Sequence, residues 1–266
     1  MKVYISADIE GVAGITDWEE ARKAQAAYAE FREEMTSEVV AACEGAIAAG
    51  ATDILIKDAH ATGRNIIAAR LPDCARLIRG WSGHPLCMVQ ELDDSFAAVV
   101  LLGYHSKAGS EGNPLAHTLT GKIAQLRLNS EIASEFLLHA RAAALFDVPV
   151  VFVSGDRELC RDIAQFNPRI GTVAVSEGIG PSTVSIAPAL AQRRIREGVA
   201  AALGGDLGSC RVKLPDRFSL EIVYNNPVDA YRASWYPGMQ HPAPQTVRFD
   251  TADYFEVLRA IRFVVL

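Results

Sequence analysis

The sequence predicts an α/β fold, a mostly parallel sheet covered by helices on both faces, with a smaller C-terminal α+β part. Three observations carry this. Short, nearly unbroken apolar runs occur at 2–8 (KVYISAD), 53–60 (DILIKDAH), 96–105 (FAAVVLLGYH) and 149–155 (PVVFVSG), the pattern of strands buried on two faces. Stretches with apolar residues at steps of three and four alternate with these runs. A chain of 266 residues, 50% hydrophobic and 22% charged, can also bury a large core without disulfides.

Taken in order, the first strand ends in a loop containing Gly11 and Gly14. A helix follows, its stripe running from Ala24 through Phe31, Met35 and Val39 to Ile47 and stopping at Gly50, with Glu33, Glu34 and Glu38 read as its solvent face. After the strand at 53–60, a short helix spans 65–70 and ARLIRG forms another strand. The polar, glycine-rich segment 106–121 is a long loop, a kind more often functional than idle. A strand at 122–129, a helix at 131–146, the strand at 149–155 and a helix at 156–166 capped by Asp156 come next. TVAVSE then reads as a strand and 188–203 as a helix. Composition shifts near residue 205, dividing the chain into an α/β domain over 1–204 and an integrated C-terminal part over 205–266. In that part CRVKLPDRFSLEIVYNN suggests two strands meeting near Pro215, and a final helix ends the chain.

Composition narrows the function classes. A net charge of −6 gives no reason to expect nucleic acid as a partner. The opening MKVYISADIEG lacks the apolar run of a signal peptide, and no segment has the roughly 18 apolar residues that cross a bilayer, so no membrane association is expected. Five scattered cysteines without CxxC spacing argue against a disulfide framework or zinc ribbon and fit a reducing cytoplasm. GIGPS lacks a Walker lysine, and Ser106 lies outside any GxSxG elbow.

The chemistry lies at strand ends. Strand 2–8 delivers Asp8 and, two residues on, Glu10; strand 53–60 delivers Asp58 and His60; strand 96–105 delivers His105. Ligands of open parallel sheets bind beyond the carboxyl ends of the strands, so these side chains can converge on one rim. Such residues also cap turns, but together two carboxylates and two imidazoles form an oxygen–nitrogen set suited to zinc. Two ions need a further acid, for which Glu131 and Glu135 are both candidates. His117 lies in the glycine-rich loop, and spacing does not assign it. His84, His139 and His241 are read as surface or helix residues. Lys57, Arg64 and Lys107 are the only bases on these segments, which disfavours a phosphoesterase.

SADIEG at 6–11, KDAH at 57–60, LLGYHS at 101–106, AHT at 116–118 and TADYFEVLRAIRF near the C-terminus resemble the bacterial zinc-dependent D-aminopeptidases of the dipeptide-transport-associated type, in the same order along the whole chain. The resemblance implies two Zn²⁺ per chain, with Asp8 bridging, Glu10 and His60 on one ion, and His105 and Glu135 on the other. Glu135 is chosen over Glu131 by its distance from the DVPV segment. It implies that His117 is a catalytic non-ligand, holding the developing oxyanion or shuttling a proton. It also implies hydrolysis of short peptides with an N-terminal D-amino acid by metal-activated water, and a ring-like homo-oligomer such as a decamer. The alternative is a related metal-dependent hydrolase of L-amino or other small amides. Asp58, Glu111 or a backbone carbonyl are candidates for binding the free amine.

Overall fold

The computed structural model describes residues 1–266. Twelve strands and seven helices alternate along the chain. They are β1 (Lys2–Ala7), α1 (Trp18–Ala21), α2 (Tyr28–Ala48), β2 (Asp53–Asp58), β3 (Ala75–Ile78), β4 (Ala98–Tyr104), β5 (Ile123–Leu128), β6 (Glu131–Ile132), α3 (Glu135–Ala144), β7 (Val150–Asp156), α4 (Arg157–Phe166), β8 (Gly171–Ile179), β9 (Ser182–Ser185), α5 (Pro188–Leu203), β10 (Phe218–Tyr224), α6 (Pro227–Ala233), β11 (Gln240–Ala243), β12 (Thr246–Thr251) and α7 (Tyr254–Val264).

The larger sheet has the order β3-β2-β1-β4-β7-β8-β9 and is parallel except for the β8–β9 hairpin. Every residue of β4 and β7 is buried, as is all of β1 after Lys2, which is why these strands read as continuous apolar runs. Helix α2 packs on α5 and on β1 and β4, while α3 lies against β4, and α4 and α5 against β7 and β8. Strand order reverses direction between β1 and β4, a switch point that opens a crevice beyond their carboxyl ends.

The smaller sheet, β11-β12-β10-β5-β6, is antiparallel. It joins strands from both sides of residue 205, because β10 pairs with β5. The alternating burial of β10 marks a sheet with one covered face, and α7 provides cover by packing on β10, β12 and α3.

Several local expectations change. The long helix begins at Tyr28, preceded by the separate turn α1, whose N-cap Asp17 forms a capping box with Glu20. No helix forms at 131–134: Glu131 and Ile132 pair with β5, and Ser134 caps α3 by accepting from the Leu137 amide. Residues 211–217 contribute no strand, so the first of the two C-terminal strands expected there is absent and the second is β10. Edge strand β11, QHPA, has no strand signature in the sequence because it is exposed and contains a proline. No helix is long and apolar enough to cross a membrane.

Glu38 also differs from its expected exposed position. It is buried, with Oε1 accepting from the Ala13 amide at 2.9 Å and Oε2 unpartnered. Burial pushes its carboxyl up to about 8. An acid whose folded-state pKa is raised is favoured in its neutral form, so its contribution is complete below its unfolded value and is lost as pH rises through about 8. Glu38→Gln keeps the shape without the charge. Thermal melts at pH 9 are expected to show the variant about 5 °C above wild type, with the gap narrowing toward pH 5.

Candidate metal centre

The three strand ends meet at the switch point. Two glycines permit their approach. A Cβ on Gly11 would lie 1.9 Å from the Tyr104 carbonyl oxygen, and one on Gly103 would lie 2.4 Å from that of Asp8. Backbone bonds from the Asp8 amide to Leu102 and from the Gly11 amide to Gly103, both 2.8 Å, then lock the β1 exit onto β4. The chain turns after Ala7, and it is this turn that brings Asp8 and Glu10 together, not the extended backbone suggested by their spacing.

Asp8 faces two ways. Its Oδ1 lies 3.2 Å from His60 Nδ1, and its Oδ2 lies 3.6 Å from His105 Nε2. Glu10 Oε2 is 3.0 Å from the same His60 nitrogen, and Glu135 Oε2 is 3.5 Å from His105 Nε2. All five residues are buried. His117 is half-buried, its ring stacked on His105 at 4.3 Å between centroids, with Nε2 3.7 Å from Glu135 Oε1. Glu131 instead pairs with Arg141 through an exposed carboxylate and is outside the cluster.

Backbone carbonyls orient the imidazoles. His60 Nε2 donates to Ala21, His105 Nδ1 to Ser106 and His117 Nδ1 to Leu115, at 2.8, 2.9 and 2.9 Å. Each ring therefore turns its other nitrogen toward the carboxylates, the arrangement found behind metal-ligating histidines. Two overlapping sets of donor atoms, Asp8–Glu10–His105 and His105–His117–Glu135, each lie within 4.8 Å of one another.

The residues present fit a divalent cation. Glu10 Oε2, His105 Nε2 and Glu135 Oε2 are buried and have no hydrogen-bond partner of acceptable geometry, an expensive condition for polar atoms. The titration pattern shows the same demand for positive charge. Burial and the Glu10 charge hold Asp8 well above the usual carboxylate range. Burial would also raise Glu10, but the His60 charge outweighs it and brings Glu10 well below that range. Against burial, Glu135 and the other carboxylates raise His105 to about 10, while His105 brings Glu135 down to about 2. In effect, protons on the imidazoles do the work that a cation would do among three buried carboxylates.

Supporting residues fix the loops. Asp58 is buried and accepts from the Asn65 and Ile66 amides and from Asn65 Nδ2, which also donates to the His60 carbonyl. Asp156 caps α4 and accepts from the Ser106 amide at 2.6 Å, holding the segment that carries His105. Asp58 is thus committed to its loop, and Glu111, although exposed, is also absent from the cavity wall, so neither meets a substrate amine there.

The cluster opens into a cavity of about 630 Å³. Its wall includes Trp18, Trp81, His84, Cys87 and Arg262, none of which the sequence marks by motif or spacing. His84 is exposed, as expected, but it is also part of this wall. Lys57 shapes the wall from behind, donating to the Gly80 carbonyl at 2.6 Å and standing 3.8 Å from the Trp81 ring centroid.

Comparison with known proteins places the chain in a family. A family model described as D-aminopeptidase, peptidase M55, matches residues 1–263. A D-aminopeptidase of Bacillus subtilis strain 168 is 32% identical over 263 residues, covering 98% of this chain and 95% of the relative. The solved structure described as the Zn-dependent D-aminopeptidase DppA from Bacillus subtilis, a self-compartmentalizing protease, superposes with a TM-score of 0.94 at 30% identity, covering 99% of this chain and 96% of that one. The chain belongs to the peptidase M55 D-aminopeptidase family.

Proposed function

We propose that the protein is a di-zinc aminopeptidase that releases an N-terminal D-amino acid from short peptides. The observation carrying this reading is the set of three unpartnered buried donor atoms, Glu10 Oε2 and Glu135 Oε2 in residues lining a peptide-sized cavity and His105 Nε2 beside Glu135. Asp8 is assigned as the shared ligand because its two oxygens face different imidazoles. Glu10 and His60 complete one position, and His105 and Glu135 the other. These residues would hold zinc, which when bound would supply an activated water and polarise the scissile carbonyl.

The protein's own groups perform the remaining tasks. The cluster anchors the reacting end of the substrate, and the aromatic wall of Trp18 and Trp81 excludes water from one side of it. His117, held by the Leu115 carbonyl with Nε2 turned toward Glu135, is placed to donate a proton to the developing oxyanion or to pass one to the leaving amine. No side-chain carboxylate lining the cavity other than the proposed ligands is available as a general base, leaving proton movement to His117 and those ligands.

Hydrolysis of D-Ala–D-Ala and L-Ala–L-Ala, with and without chelator, tests the reading. D-Ala–D-Ala is expected to be cleaved at a rate that chelation abolishes and zinc restores. Preference for the L-dipeptide would shift the assignment to the related L-amide hydrolase, and activity insensitive to chelation would overturn it.

We also propose that the chain assembles into a ring-like homo-oligomer of decamer size. Support comes from the description of the Bacillus subtilis structure as self-compartmentalizing and from an exposed aromatic group on this chain. Trp235 and Phe263 are 73% and 72% exposed, with Tyr231 beside Trp235 and Tyr236 stacked near Phe263. Light scattering is expected to give a mass near ten times that of the chain, and a monomer would exclude the assembly.

A further inference from the structure

The cavity wall contains a guanidinium without a counter-ion. Arg262, in the last turn of α7, donates through Nε to the Gly83 carbonyl at 3.0 Å. Its Nη1 and Nη2 make no hydrogen bond, and no carboxylate lies within ion-pair distance of it. Arg22, the other arginine on this wall, has no carboxylate partner either, but Arg262 alone of the two is braced through Nε. Arg262 is half-buried, so its fork is partly shielded from water.

We propose that Arg262 binds the free α-carboxylate of the substrate, making peptides with an unblocked C-terminus preferred over those with a blocked one. This rests on the proposed aminopeptidase reaction. Arg262 lines the same cavity as Asp8, Glu10 and Glu135, so a peptide whose reacting end lies at the cluster has the guanidinium on the wall beside it. A guanidinium braced through Nε presents its two η nitrogens to a carboxylate as a planar fork, whereas it repels an ammonium and so sets the direction of the bound chain. The cluster and the fork share one neighbourhood. Cys87, pushed up to about 12 chiefly by burial, feels the opposing charges of Glu135 and Arg262. In a dipeptide the carboxylate is only one residue, about 3.5 Å of chain, beyond the scissile bond.

The test compares D-Ala–D-Ala with D-Ala–D-Ala amide, which differ only at the carboxyl end. Wild type is expected to favour the free acid, chiefly through KM, and Arg262→Gln to lower the acid-to-amide ratio of kcat/KM by about 10- to 100-fold. Arg262→Lys, which keeps the charge without the fork, should recover part of that ratio. Arg22→Gln, at the other arginine on the wall, should leave the ratio as in wild type. Equal use of acid and amide by wild type would overturn the proposal, as would an unchanged ratio in Arg262→Gln or transfer of the effect to Arg22→Gln. Calorimetric titration of chelator-treated protein with the two ligands gives a readout independent of turnover. Discrimination there, with no hydrolysis of either compound by the zinc-loaded protein, would retain the carboxylate subsite and remove the aminopeptidase reading, and absence of discrimination would remove the subsite.

Discussion

Replacing Asp8 with asparagine is expected to reduce kcat/KM by at least about 10³-fold and to remove most of the bound zinc. Asparagine preserves the size of the side chain and an oxygen to accept from the Ile9 amide, the 2.9 Å bond that Asp8 makes now. It eliminates the negative charge and the second carboxylate oxygen, and with them the only group that faces both His60 and His105. A distinctive signature follows from the electrostatics. Burial and Glu10 raise the Asp8 pKa well above normal, so in metal-free protein its ionised form costs stability at neutral pH. For such a group the favourable contribution is complete below its unfolded pKa and disappears as pH rises toward the folded value. Chelated Asp8→Asn should therefore melt above chelated wild type at pH 7, while zinc should reverse the order by binding wild type preferentially. Metal analysis and paired melts measure both effects. Full zinc retention by the variant would refute the assignment of Asp8 as shared ligand.

His117→Ala is expected to lower kcat by about 10²- to 10³-fold, the usual cost of losing one group that stabilises an oxyanion, with zinc content unchanged. His117 stacks on His105 and touches the edge of Trp18, so truncation opens space beside the cluster. His105 remains oriented by the Ser106 carbonyl, and Glu135 Oε1 still accepts from the Leu119 amide at 2.7 Å. The cluster should consequently survive. The result discriminates between two roles, because the His117 nitrogen is also within 4.8 Å of donor atoms on His105 and Glu135. Loss of about one zinc per chain along with activity would make His117 a ligand. Flattening of the pH–rate profile at unchanged metal content would mark it as the proton donor.

Much of the site could be read from the chain because polar residues interrupted apolar strands at their ends. Asp8, His60 and His105 each follow a run that β pairing buries, and parallel strands place such ends on one rim. Local pattern was less informative where tertiary pairing decides. The segment EIASEFLL carries enough helical character to read as one helix from Glu131. Its first residues pair with β5 because β5 belongs to the second sheet, and Ser134 starts the helix only after that pairing. Glu38 shared a helix face with Glu33 and Glu34, but the loop after β1 folds over it and supplies the Ala13 amide. Spacing alone left Glu131 and Glu135 open, and the family resemblance chose between them. The structure then provides an independent geometric distinction, as Glu135 faces His105 while Glu131 faces Arg141.

By itself, the sequence determined the α/β class, the order of the main strands and the residues at their carboxyl ends. These features follow from strand and helix periodicity, which neighbouring residues impose on one another. Only the tertiary structure decided how the β1 exit turns, how the histidines are oriented, and which side chains wall the cavity. Trp18, Trp81 and Arg262 come from α1, the segment after β3 and α7, far apart in the chain and without a common motif. Their meeting depends on the close contacts allowed by Gly11 and Gly103 and on α7 packing against α3, relations between distant segments that no local period encodes.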